Sequence, residues 1–192
     1  MELNPLTALS PIDGRYARQT DALRDIFSEC AFMNARVRVE VEWLISLSEG
    51  GFAELPHLSD HGKAFLRGLA DNFSLADCEA IKEIEKTTNH DVKAVEYWIK
   101  NQVAHDEELK SASEFVHFSC TSEDINNTSH AIMLKRGREA LADYLQQIHD
   151  TIAGFAHQWA EIPMLSRTHG QTASPTTVGK EFANVAVRLE RV

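Results

Sequence analysis

A heptad seam constrains this chain more than any other feature. Leu141, Leu145, Ile148, Ile152, Phe155, Trp159 and Ile162 follow one another at alternating steps of four and three residues. That repeat places one apolar stripe along a single helix face. Upstream, Ile125, Ile132 and Leu134 extend the apolar face, and no proline or glycine pair intervenes before Pro163. Thr121-Ser122-Glu123-Asp124 opens the run as a capping box, with two acids at the positive end of the helix dipole. The pattern predicts one helix from about Ser122 to Glu161, on the order of 60 Å long at 1.5 Å per residue. Such a helix outgrows the core of a small domain and belongs in an extended bundle, one expected to be shared between chains.

The other segments also read as helices. Leu23, Ile26, Phe27, Cys30 and Met33, then Val37, Val41, Leu44, Ile45 and Leu47, mark a helical face from Thr20 to Glu49, with a break near Ser28 and a stop at Gly50-Gly51. A short helix is expected over Ser59–Asn72. Ser74 and Asp77 form a capping box for a helix carrying Ile81 and Ile84. Val92, Val95, Ile99 and Val103 repeat at helical steps, with Asp91 expected as N-cap. Residues 104–120 read as a short helical or irregular connection. After Pro163, Ser166-Arg167-Thr168-His169-Gly170-Gln171 reads as a polar turn between helices, and Val178, Phe182, Val185, Leu189 and Val192 resume the helical spacing. No strand signal matches these in strength, so the expected fold class is all-α. The apolar stripe still runs at Arg191-Val192, where a natural terminus rarely falls; a piece of a longer protein is expected.

Composition narrows the function classes. With 19 Lys plus Arg against 29 Asp plus Glu, the net charge is −10, which argues against nonspecific nucleic-acid binding but leaves room for a local basic pocket. Cys30, Cys78 and Cys120 are odd in number, widely spaced and in no CxxC pair, and read as reduced thiols of a cytoplasmic protein. Met1-Glu2-Leu3-Asn4-Pro5 lacks the basic and apolar regions of a signal peptide, and no apolar run approaches membrane length.

Chemistry-bearing side chains gather at helix ends: Arg15-Tyr16, Asn89-His90-Asp91, Thr121-Ser122 and Thr168-His169, with His117 in the connection before Thr121. Arginine suits a phosphate or carboxylate, hydroxyls and cap amides suit carboxylates, and imidazole moves a proton near neutrality. Taken singly, each has a plainer explanation: a surface turn for Arg15-Tyr16, cap formers in Asn89 and Asp91, a structural hydrogen bond for His169. No Gly-rich phosphate loop, nucleophile elbow or metal-ligand cluster competes. His57 and His61 are four residues apart but flanked by Pro56 and Gly62, a poor setting for a metal pair.

The ordered motifs resemble the bacterial branch of the adenylosuccinate lyase family, within the fumarase/aspartase superfamily. The resemblance rests on Ser10-Pro11-Ile12-Asp13-Gly14-Arg15-Tyr16, on the run from Thr87 to Glu96, on Phe115-Val116-His117-Phe118 leading to Thr121-Ser122-Glu123-Asp124-Ile125-Asn126-Asn127, and on Ser166 to Gln171. It extends over the whole chain. It implies an N-terminal helical domain (1–111) followed by the truncated start of a long-helix bundle (112–192). It further implies elimination of fumarate from adenylosuccinate, giving AMP, and from the succinyl-carboxamide ribotide of purine synthesis. His169 matches the family's general acid, and His90 would orient the acid or the substrate. Arg15, Tyr16, Asn89, His90, Asp91, His117, Thr121, Ser122 and Thr168 fall in substrate-binding positions, Arg15, Tyr16 and His117 toward the phosphate. The family is tetrameric, cytoplasmic and needs no metal or cofactor; neither nucleic acid nor membrane is an expected partner. Its general base, a serine on a Gly-Ser-Ser loop, has no counterpart in these residues, so the chain alone is expected to be inactive. Two rivals remain: another lyase of the superfamily, such as one acting on argininosuccinate, and a non-catalytic helical association module.

Overall fold

The computed structural model describes residues 6–52 and 54–191, so Met1 to Pro5 and Val192 of the expectations above lie outside the described residues. The chain divides into two compact units, one ending at Gly137 and the other beginning at Arg138. In the first, a single 3₁₀ turn (Asp21–Leu23) leads into α1 (Arg24–Phe27), and Ser28 breaks the chain and caps α2 (Glu29–Glu49) through the Ala31 N–H. Then follow α3 (Asp60–Asp71), α4 (Leu75–Thr88), α5 (Asp91–Val103), α6 (Glu107–Ala112) and α7 (Ser122–Gln158), which continues into the second unit. Ser59 caps α3, its hydroxyl accepting the Gly62 N–H, and Ser74 with Asp77 forms the expected capping box at α4. At α5 the cap differs: His90, not Asp91, is the N-cap, its Nδ1 accepting the Lys93 N–H at 3.3 Å.

The core of the first unit lies around α2. Met33, Val37, Val41, Leu44 and Ile45 line its inner face against Leu66 and Ala70 of α3, Cys78 and Ile81 of α4, and Val95, Trp98 and Ile99 of α5. Removing a Leu or Ile side chain of this kind from water is worth about 1.5–3 kcal/mol. Cys30 and Cys78 are joined as a disulfide between α2 and α4, their Cα atoms 5.6 Å apart. This corrects the expectation of reduced thiols: the sequence separation of 48 residues hides a helix pairing that sets the two side chains face to face. Cys120 is the free thiol.

The long helix is continuous over 37 residues. Within the first unit Ile125, Ser129, Met133 and Gly137 face inward at steps of four. Gly137 is a place of close approach, since a Cβ there would run into the Phe27 ring. Beyond it the seam residues Leu141, Leu145 and Ile148 are about half exposed, at 45%, 55% and 50%.

The second unit corrects the reading of the polar turn. Pro163–Thr168 (β1) and Gln171–Thr177 (β2) pair as an antiparallel hairpin, with Pro163 opposite Thr177, Thr168 opposite Gln171, and a bulge between Leu165 and Arg167. His169 and Gly170 form its two-residue tip, both with positive φ (51° and 73°). Two left-handed residues in succession make the type I′ turn that suits the twist of a hairpin. At the base, the Val178 N–H donates to Ile162 O and the Gly179 N–H to Trp159 O, both at 2.9 Å, which ties the end of α7 to the start of α8 (Val178–Leu189). Phe155, Trp159 and Phe182 stack beside this junction, with ring centroids 4.7–5.6 Å apart. Apart from this hairpin, the described residues form helices and the loops between them, and the fold class is all-α. No helix among the described residues is long and apolar enough to cross a membrane.

Candidate active site

Two of the polar knots, Asn89-His90-Asp91 and Thr121-Ser122, meet beside α2, and His117 joins them there. Asn89 ends α4 in the left-handed conformation (φ 52°), its N–H bonded to Glu85 O at 2.8 Å, and this reversal turns the chain straight into α5. Asparagine tolerates that region better than most residues. His90 is thereby set at the N-terminus of α5, exposed, with Nε2 3.4 Å from the Ser122 hydroxyl. Its Nδ1 accepts from Lys93, so the proton of the neutral ring belongs on Nε2, facing Ser122. Thr121 starts α7: its N–H and hydroxyl both donate to the Asp124 carboxylate, at 2.7 and 2.9 Å. Those bonds, the backbone one first, hold the Asp124 carboxyl below its ordinary range.

Behind these groups stand residues to which the sequence reading gave no role. Arg36 on α2 is buried, with 4% of its side chain exposed. Its Nη2 donates to Asp91 at 2.6 Å and its Nε to Asn126 of α7 at 2.9 Å, and its guanidinium lies 3.9 Å from the Phe32 ring centroid. One side chain therefore fastens the starts of α5 and α7 to α2. Burial opposes ionisation of Asp91, but the Val92 N–H and the Arg36 charge outweigh it and hold the carboxyl below its ordinary value. One turn further, Glu40 is wholly buried and its Oε1 lies 2.6 Å from Nδ1 of His117. The hydrogen bond to Glu40 raises the pKa of His117 against the opposing effect of burial. Trp43 completes the row, donating from Nε1 to Phe118 O at 2.8 Å. Arg36, Glu40 and Trp43 fall at i, i+4 and i+7 on one helical face. A sequence signal existed, because charged residues at core spacing within an apolar helix demand buried partners.

Arg15 and Tyr16 are exposed in a loop of tight turns, the guanidinium 5.7 Å from the phenol ring, and no hydrogen bond joins them to the other knots among the described residues. Thr168 and His169 sit exposed at the hairpin tip of the second unit. A cleft of about 570 Å³ between α2 and the start of α7 is lined by Trp43, Ser119, Cys120 and Asp124, but by none of His90, Asp91 or His117. Among the described residues no group of three His, Cys, Asp or Glu side chains is arranged to hold a metal ion.

Among the described residues, three of the four non-glycine residues with positive φ are candidate site residues: Asn89, His117 and His169; the fourth is Ser119. Backbone held in this sparsely populated region tends to gather at functional sites.

Comparison with known proteins supplies a separate line of observation. The family described as Lyase matches residues 14–192. Adenylosuccinate lyases of Vibrio cholerae and Escherichia coli K12 are 54% and 53% identical to the chain over 193 aligned residues, covering all of it, and that of Legionella pneumophila is 47% identical over 196. The chain spans 42% of the length of each of these relatives. Among solved structures, a fumarate lyase from Mesorhizobium sp. BNC1 superposes with a TM-score of 0.67 at 21% identity, covering 89% of this chain and 39% of that one. A β-carboxy-cis,cis-muconate cycloisomerase from Acinetobacter calcoaceticus sp. ADP1 gives 0.69 at 19% identity, over 89% and 38%. These structural likenesses speak to the fold.

Proposed function

Because the chain belongs to the Lyase family, which it matches over residues 14–192, we propose that it forms the N-terminal part of an adenylosuccinate lyase. The observation that carries this reading is the 54% identity with the Vibrio cholerae enzyme along the entire chain. The reaction is β-elimination: a base removes a proton from the succinyl moiety, the C–N bond breaks, and fumarate leaves. Adenylosuccinate yields AMP; the succinyl-carboxamide ribotide of purine synthesis reacts alike.

In this reading His169 is the general acid, giving its proton to the nitrogen that departs with the purine. A hairpin tip suits that role, since its two-residue turn fixes the backbone and leaves the ring exposed. His90, Ser122 and Thr121 hold the substrate at the paired starts of α5 and α7, where helix N-termini favour carboxylates. Asn89 and Asp91 shape that corner; Arg15, Tyr16 and His117 serve the phosphate, and Thr168 stands beside the acid. The base comes from a part of the full-length protein outside these 192 residues. The 192-residue chain by itself is therefore inactive, and the full-length protein works as a cytoplasmic tetramer. The same reading divides the chain into an N-terminal helical domain, 1–111, and the first part of a long-helix bundle, 112–192.

The test is fumarate release from adenylosuccinate by the full-length protein, with argininosuccinate as the competing substrate. Turnover of argininosuccinate alone, or of neither, overturns the assignment.

A further inference from the structure

Glu40 is a buried carboxylate with one partner among the described residues. Its Oε1 meets His117 Nδ1 at 2.6 Å, while Oε2 is buried with no hydrogen bond. An anion so enclosed is tolerable only with a cation or strong donor beside it. The backbone goes to some cost to supply that neighbour. His117 adopts φ 64°, a conformation unfavourable by roughly 1–2 kcal/mol for a residue with a Cβ. It is held there from both sides, by buried Val116 and by the Trp43 hydrogen bond to Phe118 O. Nδ1 is thus committed inward, and Nε2 has no hydrogen-bond partner among the described residues. The charges acting on the ring are Glu40 from α2, Lys93 and Glu96 from α5, and Asp124 at the start of α7, with the Cys120 thiol close to Glu40. Lys93 alone of these opposes a positive ring, and it is already paired with Glu96 at 2.7 Å.

We propose that Glu40 is a positioning residue: it grips Nδ1 of His117 and keeps the ring an imidazolium whose Nε2–H binds the phosphate-bearing end of the substrate. The proposal rests on the lyase reading for its substrate and on the Glu40–His117 geometry for its mechanism. A carboxylate that served only packing would tolerate loss of its charge without any effect on anion binding.

The test uses the full-length protein with Glu40→Gln, His117→Gln and the double variant. A lost hydrogen bond to a charged group corresponds to about a tenfold or larger rise in KM for adenylosuccinate, with kcat changing far less. Because the two residues act as one device, the double variant should be no worse than the more affected single one. Unchanged KM in Glu40→Gln, or losses that multiply in the double variant, overturns the proposal. Should Glu40→Gln fail to fold, wild type and His117→Gln suffice, with inorganic sulfate as a probe whose own charge is constant near neutrality. Calorimetry should find sulfate binding to wild type weakening as pH rises past neutral, and that pH dependence absent in His117→Gln. Identical profiles for the two proteins overturn it. If wild type cleaves no adenylosuccinate, the lyase reading fails, and sulfate calorimetry extended to Glu40→Gln still decides the proposal: sulfate binding as tight as in wild type overturns it.

Discussion

Arg36 Nη2 stands 2.6 Å from the Asp91 carboxylate, across the seam between α2 and the start of α5. The guanidinium is almost entirely enclosed, whereas the carboxylate keeps 46% of its side chain exposed. Arg36→Met should cost about 2–3 kcal/mol in urea unfolding, the scale of a partly buried charged hydrogen bond. Adding Asp91→Asn to that variant should cost little more, because the pair is already broken. Strictly additive losses would show that the two side chains do not act together.

The His117–Glu40 pair predicts a pH dependence of stability with a definite sign. The folded-state pKa of His117 is raised, the Glu40 hydrogen bond outweighing burial. Its contribution is fully present below the unfolded value of about 6.5 and disappears as pH rises through the folded value. The stability difference between wild type and His117→Gln should therefore shrink from mildly acid to mildly alkaline pH. A difference that is flat or widens across that window contradicts the assignment.

For the proposed acid, His169→Ala in the full-length protein should lower turnover by about 10² to 10⁴-fold, more than it weakens substrate binding. The left-handed backbone at this position calls for a companion variant, His169→Asn, which accepts the same φ without the imidazole. Both should be equally slow. Activity restored by asparagine would assign the role to the turn and not to the ring. His90→Ala should weaken binding and rate together, since its ring lies beside Ser122, among the groups proposed to hold the substrate.

The seam beyond Gly137 predicts self-association. Leu141, Tyr144, Leu145 and Ile148 leave 45–60% of their surface exposed along one stretch of α7. A stripe of this kind marks an interface. Sedimentation of the 192-residue chain should find oligomers that Leu145→Lys with Ile148→Lys dissociates. A strict monomer at high concentration sinks the prediction.

Helix periodicity and caps were legible because they are local: the break at Ser28, the stops at Gly50 and Asn72, and the start of α7 at Ser122 could all be read from spacing and cap chemistry. What escaped depends on pairing in space. Met164 to Thr168 lacks clean alternation, and only the His169-Gly170 turn with threonines at 172, 176 and 177 hinted at strands. The Cys30–Cys78 bond needed the α2–α4 contact, and Asp91 yielded its cap position to a histidine nitrogen that propensity ranks low. Of the candidate site, the exposed residues announced themselves as polar clusters at helix ends. Arg36, Glu40 and Trp43 did not, because charge at core spacing in an apolar helix demands buried partners without saying which ones.

The hairpin that carries His169 has only two strands, so each presents an outer row of backbone groups not engaged by the other. Such rows are templates for adding a further strand, from a neighbour or from an aggregate. The sequence blunts them chemically. Pro163 and Pro175 each remove an N–H donor, Arg167 brings a charge to β1, and the bulge beside it breaks the even spacing that an incoming strand would need. The ribbon is thereby able to hold the His169 imidazole out in solvent while refusing extension of its own sheet.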